Sequence, residues 1–277
     1  MAEVTDWSEH DPAAWFAALG VPVAAPASAL TTPQVADALA QALDRLVPST
    51  AARPFVIGIA GSVASGKTFL ADALVRRLEQ QATGDGRVIG LSTDGFIHPN
   101  DVLAERGLVI RKGYPESYDR ELLADRLGRL KADGAASWPT YSHARYDRGD
   151  EVAVAATDVV VLEGVNVLQP VESVEQLLDY RIYLDAAEDD VERWFVDRFM
   201  GNWREARYDE ASFYHQWSTL GVDEARQVAT MAWQFINLPN LRDHIEPTRH
   251  RADLILHETA DHTIDRLTVR ADGRGRG

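Results

Sequence analysis

The stretch FVIGIAGSVASGKTFL, Phe55 to Leu70, decides how the rest of the chain is read. It opens with an apolar run rich in β-branched residues (Val56, Ile57, Ile59), which predicts a strand. It closes on a helical pattern with Phe69, Leu70, Leu74, Val75 and Leu78 on one face. Between them Gly61-Ser62-Val63-Ala64-Ser65-Gly66-Lys67-Thr68 satisfies G-x-x-x-x-G-K-[ST] in its required setting, strand before and helix after. The glycines let the backbone wrap closely round an anion, which a Cβ would block. Successive N–H groups and the helix N-terminus then face a phosphate. Lys67 supplies a point charge for the β- and γ-phosphates, and Thr68 a hydroxyl for a magnesium ion. The competing reading is an ordinary Gly-rich turn, and the strand–helix setting weighs against it.

The bulk properties narrow the field. The chain has 277 residues, of which 45% are hydrophobic, and a mean hydropathy of −0.24, as for a globular protein with a substantial core. No apolar run approaches the roughly 20 residues that span a bilayer. The N-terminus lacks the basic start and apolar centre of a secretion signal, so a cytoplasmic location is expected. There is no cysteine, which excludes disulfides and thiolate chemistry. A net charge of −15 argues against nucleic acid and anionic membranes as partners.

Outward from the loop, helices and short strands alternate. On the N-terminal side, residues 1–30 are irregular in pattern, with Trp7, Trp15 and Phe16 expected to dock on something and Pro22 to Pro26 breaking any helix. Thr32-Pro33 fits an N-cap and first helical position, so one helix is predicted over 33–46, followed by a linker from Pro48 to Pro54. On the C-terminal side, strands are expected over 87–92, 157–162, 181–184 and 252–257, with a turn at 84–86. Helices are expected over 121–132, 187–203 and 222–236. With the loop strand these make five, the pattern of an α/β fold of the P-loop NTPase type: a parallel sheet with helices on both faces and a helical lid. The domain reading is an N-terminal extension (1–53) with one helix, a kinase domain (54–270) and a disordered tail (271–277).

In such sheets chemistry gathers beyond the carboxyl ends of the strands. The first three strands end near Gly61, Asp94 and Glu163. Asp94 is placed to act as general base on an alcohol; its competing role is to cap the next segment. Glu163 ends a hydrophobic run as a Walker-B acid does and is read as a magnesium ligand together with Thr68, the bland alternative being a carboxylate paired with a lysine. Arg198, Arg204 and Arg207 suit a mobile lid over ATP, Arg198 being the best placed. Tyr141-Ser142-His143 follows a proline and is read as a loop that reaches a substrate. No N-K-x-D and no L-S-G-G-Q occurs, which speaks against a guanine switch and a transport ATPase.

The chain resembles the bacterial type I pantothenate kinases over roughly residues 55–270. The resemblance rests on GSVASGK, STDGFIHPN, RKGYPESYD, YSHARYD, VVVLEGVNVLQ, DYRIYLDA, WFVDRF, INLPNL and PTRHRADLIL, in the family's order and spacing. It implies phosphorylation of the primary hydroxyl of pantothenate with ATP and magnesium, the first step towards coenzyme A, usually by a homodimer. Position by position it implies a catalytic role for Asp94, phosphate and metal contacts for Lys67 and Thr68, and a lid role for Arg198. Lys112, Tyr141, His143 and Asn237 match positions that line the pantothenate pocket, and His262 a position near the adenine.

Departures from the family pattern qualify these expectations. Thr68-Phe69 replaces the usual Ser-Thr, which keeps the metal hydroxyl. Phe195 stands where a pocket tyrosine is usual and removes one substrate hydrogen bond. Asn202 and Arg207 replace aromatics at the pocket's far end, and Asp72 an arginine used by inhibitory coenzyme A. The competing functions are a same-fold kinase for another small alcohol and a non-catalytic ATP-binding regulator.

Overall fold

Seven consecutive buried residues, Phe55–Gly61, form the middle of an eight-stranded sheet. The computed structural model describes residues 7–21, 23, 29–46, 54–82, 87–156 and 158–270. In chain order the strands are β1 (Trp7–His10), β2 (Leu30–Thr31), β3 (Phe55–Gly61), β4 (Val88–Ser92), β5 (Ala135–Ser142), β6 (Asp147–Ala155), β7 (Val159–Glu163), β8 (Tyr180–Ala186), β9 (Leu254–Glu258) and β10 (Thr263–Arg270). The helices are α1 (Pro12–Ala18), α2 (Thr32–Leu46), α3 (Lys67–Gln81), α4 (Asn100–Glu105), α5 (Arg120–Asp133), α6 (Glu172–Glu175), α7 (Glu188–Glu205) and α8 (Val222–Ala232), with further helical turns from Trp233 to Arg251.

The strand order is β1-β10-β9-β8-β3-β7-β4, with β2 also paired to β10. The inner five, β9-β8-β3-β7-β4, are parallel throughout and correspond to the five strands read from the sequence. β3 and β7 are buried at every position, as strands covered on both faces are. One face packs under α1, α2 and α3 through Phe16, Leu39, Leu70 and Leu74. The other packs under α5 and the 233–245 run through Leu127, Trp233, Leu241 and Ile245. A third, smaller cluster (Val196, Phe199, Met200, Trp203, Ala225, Ala229) holds α7 against α8.

Two sequence expectations are corrected. The described residues before the loop strand hold two helices and two strands, not one helix in irregular chain. β1 pairs with β10, and Trp15 and Phe16 dock into the core beneath the sheet. These elements escaped notice because β1 is four residues with only its ends partly buried and β2 is two residues, too short for a period to register. Second, Ala135–Ala155 forms the hairpin β5–β6, hidden by a proline (Pro139) and by β6's mostly exposed, charged face. The expected parallel core is present, and β10, returning beside β9, adds an antiparallel edge to it. The breaks at 22–26, the linker from 48, the turn at 84–86 and the tail at 271–277 lie wholly or mainly outside the described residues.

Candidate active site

Strand register brings the three chemically marked strand ends together. Ile59 and Ser92 both lie beside Glu163, and Gly61 lies beside Leu184. After Gly61 the loop folds back through Ala64 (φ 64°) and Gly66 (φ 75°), both left-handed. For a residue with a Cβ that conformation costs roughly 1–2 kcal/mol, so Ala64 is a site of local strain. Ser65 Oγ and Lys67 Nζ both donate to the Ser62 carbonyl, at 2.8 and 2.6 Å. The loop is thereby closed from within, and the first turn of α3 begins at its mouth.

Lys67 is only 7% exposed. Burial lowers the pKa of its ammonium, while Glu163, Asp94 and Glu258 oppose that shift and Arg198 adds to it. Glu163 is 8% exposed, and burial raises its pKa, with Lys67 pulling it back. Asp94 adds to that rise, and the neighbouring Ser92 and Thr68 oppose it. Asp94 opens the turn after β4, and its carboxylate does not cap that turn. Its Oδ1 accepts from the Tyr118 hydroxyl at 3.3 Å, and its Oδ2 lies 3.9 Å from His143 Nε2. The next residue is glycine for a steric reason: a Cβ on Gly95 would sit 1.8 Å from the Pro139 carbonyl oxygen. That close approach, with Trp138 Nε1 donating to the Ser92 carbonyl at 3.0 Å, seats the β5–β6 hairpin beside Asp94.

The hairpin carries Tyr141 and His143. Tyr141 and Ser142 close β5 and His143 opens the hairpin turn, so the first two lie on a strand and only His143 in the expected loop. The two rings meet edge to face at 5.1 Å, with the His143 side chain 77% exposed. Lys112 Nζ donates to Asn100 Oδ1 at 2.6 Å and to the Tyr146 carbonyl, and lies 4.5 Å from the Tyr146 ring centre. Burial lowers its pKa to about 8, against the raising effect of Asp147 and Asp94. Tyr146 (φ 54°) stacks on Phe213 at 4.2 Å, and Phe213 N donates to the Ala144 carbonyl. The turn Phe213–Trp217 therefore closes on the hairpin tip.

Asn237 sits in the 233–245 run, with its Nδ2 donated to the Ala232 carbonyl of its own helix at 3.0 Å. Tyr114, two residues after Lys112, anchors that run by donating to the Ile236 carbonyl at 2.9 Å. Phe195 tilts against Trp233 at 5.9 Å, and the Arg207 guanidinium lies 4.5 Å from the Trp203 ring. Arg198 is exposed on α7 and close enough to Lys67 to bear on its charge. His262 stands apart from the acceptor residues. It stacks on Trp194 at 4.2 Å, and Nδ1 hydrogen-bonds Glu258 Oε1 at 2.7 Å.

The structure thus gathers Gly61 to Thr68, Asp94 and Glu163 in one place, with Lys112, Tyr141 and His143 beside Asp94 and His262 on a separate flank. Sequence reasoning missed Ser92, Tyr118, Tyr146, Trp194 and Glu258. Tyr118 lies inside the stretch RKGYPESYD, but nothing in the residue order distinguishes it from Tyr114. Among the described residues no three His, Asp or Glu side chains form a metal cage. The pair Thr68 and Glu163 instead suits a hard cation that takes its remaining ligands from phosphates and water. A cavity of about 540 Å³ opens beside Ser62 at the ends of β8 and β9, but neither Asp94 nor Lys112 lines it.

A phosphate-gripping loop, a buried acidic residue at the next strand and a free-edged aspartate facing a cation-and-aromatic cluster define a P-loop kinase of small molecules. The profile of the Phosphoribulokinase / Uridine kinase family matches residues 56–198. A pantothenate kinase of Streptococcus pneumoniae serotype 19F (strain G54) is 40% identical over 224 residues, 79% of this chain and 73% of that one. A pantothenate kinase of Corynebacterium diphtheriae is 45% identical over 223 residues, 78% of this chain and 72% of that one. Among solved structures, a kinase from Silicibacter sp. TM1040, named for a fructose transport system, superposes with a TM-score of 0.62 at 26% identity, covering 76% of this chain and 94% of that one. The chain belongs to the phosphoribulokinase/uridine kinase family, and within it to the pantothenate kinases.

Proposed function

We propose that the protein transfers the γ-phosphoryl group of ATP to the primary hydroxyl of pantothenate. The observation that carries this reading is the position of Asp94, between the loop that would grip a triphosphate and the Lys112–Tyr141–His143 cluster. The hydroxyl oxygen attacks the γ-phosphorus, the bond to the β–γ bridging oxygen breaks, and ADP leaves. Asp94 Oδ2 takes the hydroxyl proton while Tyr118 holds Oδ1 in place. Lys67, and Arg198 when α7 closes, offset the charge on the transferring group. Thr68 and Glu163 would hold magnesium, which when bound neutralises the β- and γ-oxygens. Lys112 offers a cation to the pantothenate carboxylate. The protein is read as a cytoplasmic homodimer, for which sedimentation analysis is the test.

A second reading, a same-fold kinase for another alcohol, is favoured by Phe195, which has no hydroxyl to offer a substrate. ADP release measured with pantothenate, pantetheine and uridine separates the two. Turnover on pantothenate above the others is expected. Turnover on uridine alone would transfer the protein to the second reading, and no turnover on any would remove the enzyme reading.

A further inference from the structure

The carbonyl of Gly113, next in the chain to Lys112, is gripped by two side chains from separate parts of the fold. Asn166 Nδ2 donates to it at 3.0 Å, and Asn240 Nδ2 donates to it at 3.0 Å. Asn166 lies in the loop after β7, three residues past Glu163, and Asn240 lies three residues past Asn237 in the 233–245 run. From within the same turn, Gly113 N donates to Ser117 Oγ at 3.0 Å, and that hydroxyl donates to the Tyr114 carbonyl at 2.7 Å. Gly113 itself is left-handed (φ 93°), and a Cβ there would come no closer than 4.0 Å to Asn240 Nδ2. Glycine is therefore needed for its conformation and not for space.

A carbonyl only accepts, so both amides must turn their NH2 groups to it. That orientation leaves Asn166 Oδ1 and Asn240 Oδ1 buried with no hydrogen-bond partner among the described residues. Asn240 as a whole is only 6% exposed. As a source of stability the arrangement is poor. One donor already satisfies the carbonyl, and each unpaired buried oxygen carries a desolvation penalty that an apolar residue would avoid. What two donors add is direction. They fix the carbonyl from two sides, and with it the peptide from which Lys112 departs. The Lys112 ammonium then reaches Asn100 Oδ1 and the Tyr146 carbonyl at the hairpin tip.

We propose that Asn166 and Asn240 are positioning residues for the acceptor: by clamping the Gly113 carbonyl between the loop after β7 and the 233–245 run, they hold Lys112 where it meets the acceptor carboxylate. This rests on the kinase reading above and on the part it gives to Lys112. The test measures kcat and KM for pantothenate, and KM for ATP, in the wild type, Asn166→Leu and Asn240→Leu, and in each Leu variant on a Lys112→Met background. Leucine is close to asparagine in size and removes the donor and the unpaired oxygen together. Each Leu variant should raise KM for pantothenate about tenfold, the scale of one hydrogen bond to a charged group. Both kcat and KM for ATP should stay within about threefold. On the Lys112→Met background neither change should raise KM further, since both act through the same ammonium. In the wild type the side-chain amide hydrogens of Asn166 and Asn240 should exchange slowly with solvent, a measurement independent of how any variant folds. Fast exchange of both, an unchanged KM in a folded Leu variant, a fall in kcat alone, or a rise in KM that persists without Lys112 overturns the proposal while leaving the kinase intact. Absence of transfer to pantothenate in the wild type would instead remove the reading on which it stands.

Discussion

Asp94 has one carboxylate oxygen tied to Tyr118 and the other turned to the exposed imidazole of His143. A carboxylate held on one side and open on the other is oriented for the proton-accepting role proposed for it. Asp94→Asn keeps the shape and loses the proton acceptor, so kcat should fall by about 10²–10⁴ while ATP affinity is retained. Single-turnover kinetics and equilibrium ATP binding check the two halves separately. Lys112 makes a prediction in pH. Its folded pKa, about 8, lies below the ordinary 10.5. Between those values the unfolded chain holds the proton and the folded one does not, so this group adds stability as pH rises. Over the same window it loses the charge offered to a carboxylate. KM for pantothenate should be flat below about pH 7 and climb as pH passes about 8, while KM for ATP stays level. Asp72 is exposed on α3, four residues beyond Thr68 and therefore on the same side of the helix. A carboxylate there repels phosphates, so coenzyme A is expected to inhibit only weakly. Tight inhibition competitive with ATP would show that Asp72 lacks this effect.

Among the elements, the hairpin β5–β6 brings side chains to Asp94, and the helix α7 carries Arg198 near Lys67. The hairpin is seated by Gly95 and Trp138, which join it to the strand end bearing Asp94. α7 is held differently. Its inward residues Val196, Phe199, Met200 and Trp203 meet Ala225 and Ala229 of α8 in a cluster separate from the two that sandwich the sheet. Trp203 is fully buried there, and its indole N–H donates to the Trp217 carbonyl at 2.8 Å. Trp203→Ala should cost about 3–5 kcal/mol, most of it charged to the α7–α8 unit and not to the whole fold. Hydrogen exchange should then quicken over 196–229 while β3 and β7 keep their protection, and kcat should drop as Arg198 loses its mount. Uniform loss of protection across the sheet would show that α7 and the sheet unfold as one.

The whole molecule is a five-stranded parallel core extended by an antiparallel edge in which both chain ends take part. β10 pairs with β9, and β1 and β2 from the N-terminal segment pair with β10. Phe16 and Trp15 of α1 meet edge to face at 5.0 Å, and both join the core that includes Ile59 and Leu74 beneath the phosphate loop. The N-terminal segment therefore contributes to stability more than to the chemistry, although Thr32 backs the His262 turn. Phe16→Ala should lower the urea midpoint by the equivalent of about 3–5 kcal/mol, with ADP release in the absence of urea little changed. An unaltered midpoint would mean that α1 contributes nothing to the core.

The phosphate loop, the parallel core and the aligned strand ends were legible in the residue order because each is a local signal. A glycine-rich turn needs its own spacing, a strand buried on both faces is a continuous apolar run, Glu163 ends such a run, and Asp94 stands two residues beyond the end of β4. Family resemblance extended that reading to Lys112, Tyr141, His143, Asn237 and His262. Sequence could not give the partners that make these residues work. Tyr118 reaches Asp94 across 24 positions, Tyr146 accepts from Lys112 across 34, and β1 meets β10 across most of the chain. Such contacts carry no period and no fixed spacing, since they follow from how packed layers close over one another. The residue order determined which groups are available for phosphoryl transfer; only the tertiary structure decided which oxygen, nitrogen and ring each of them faces.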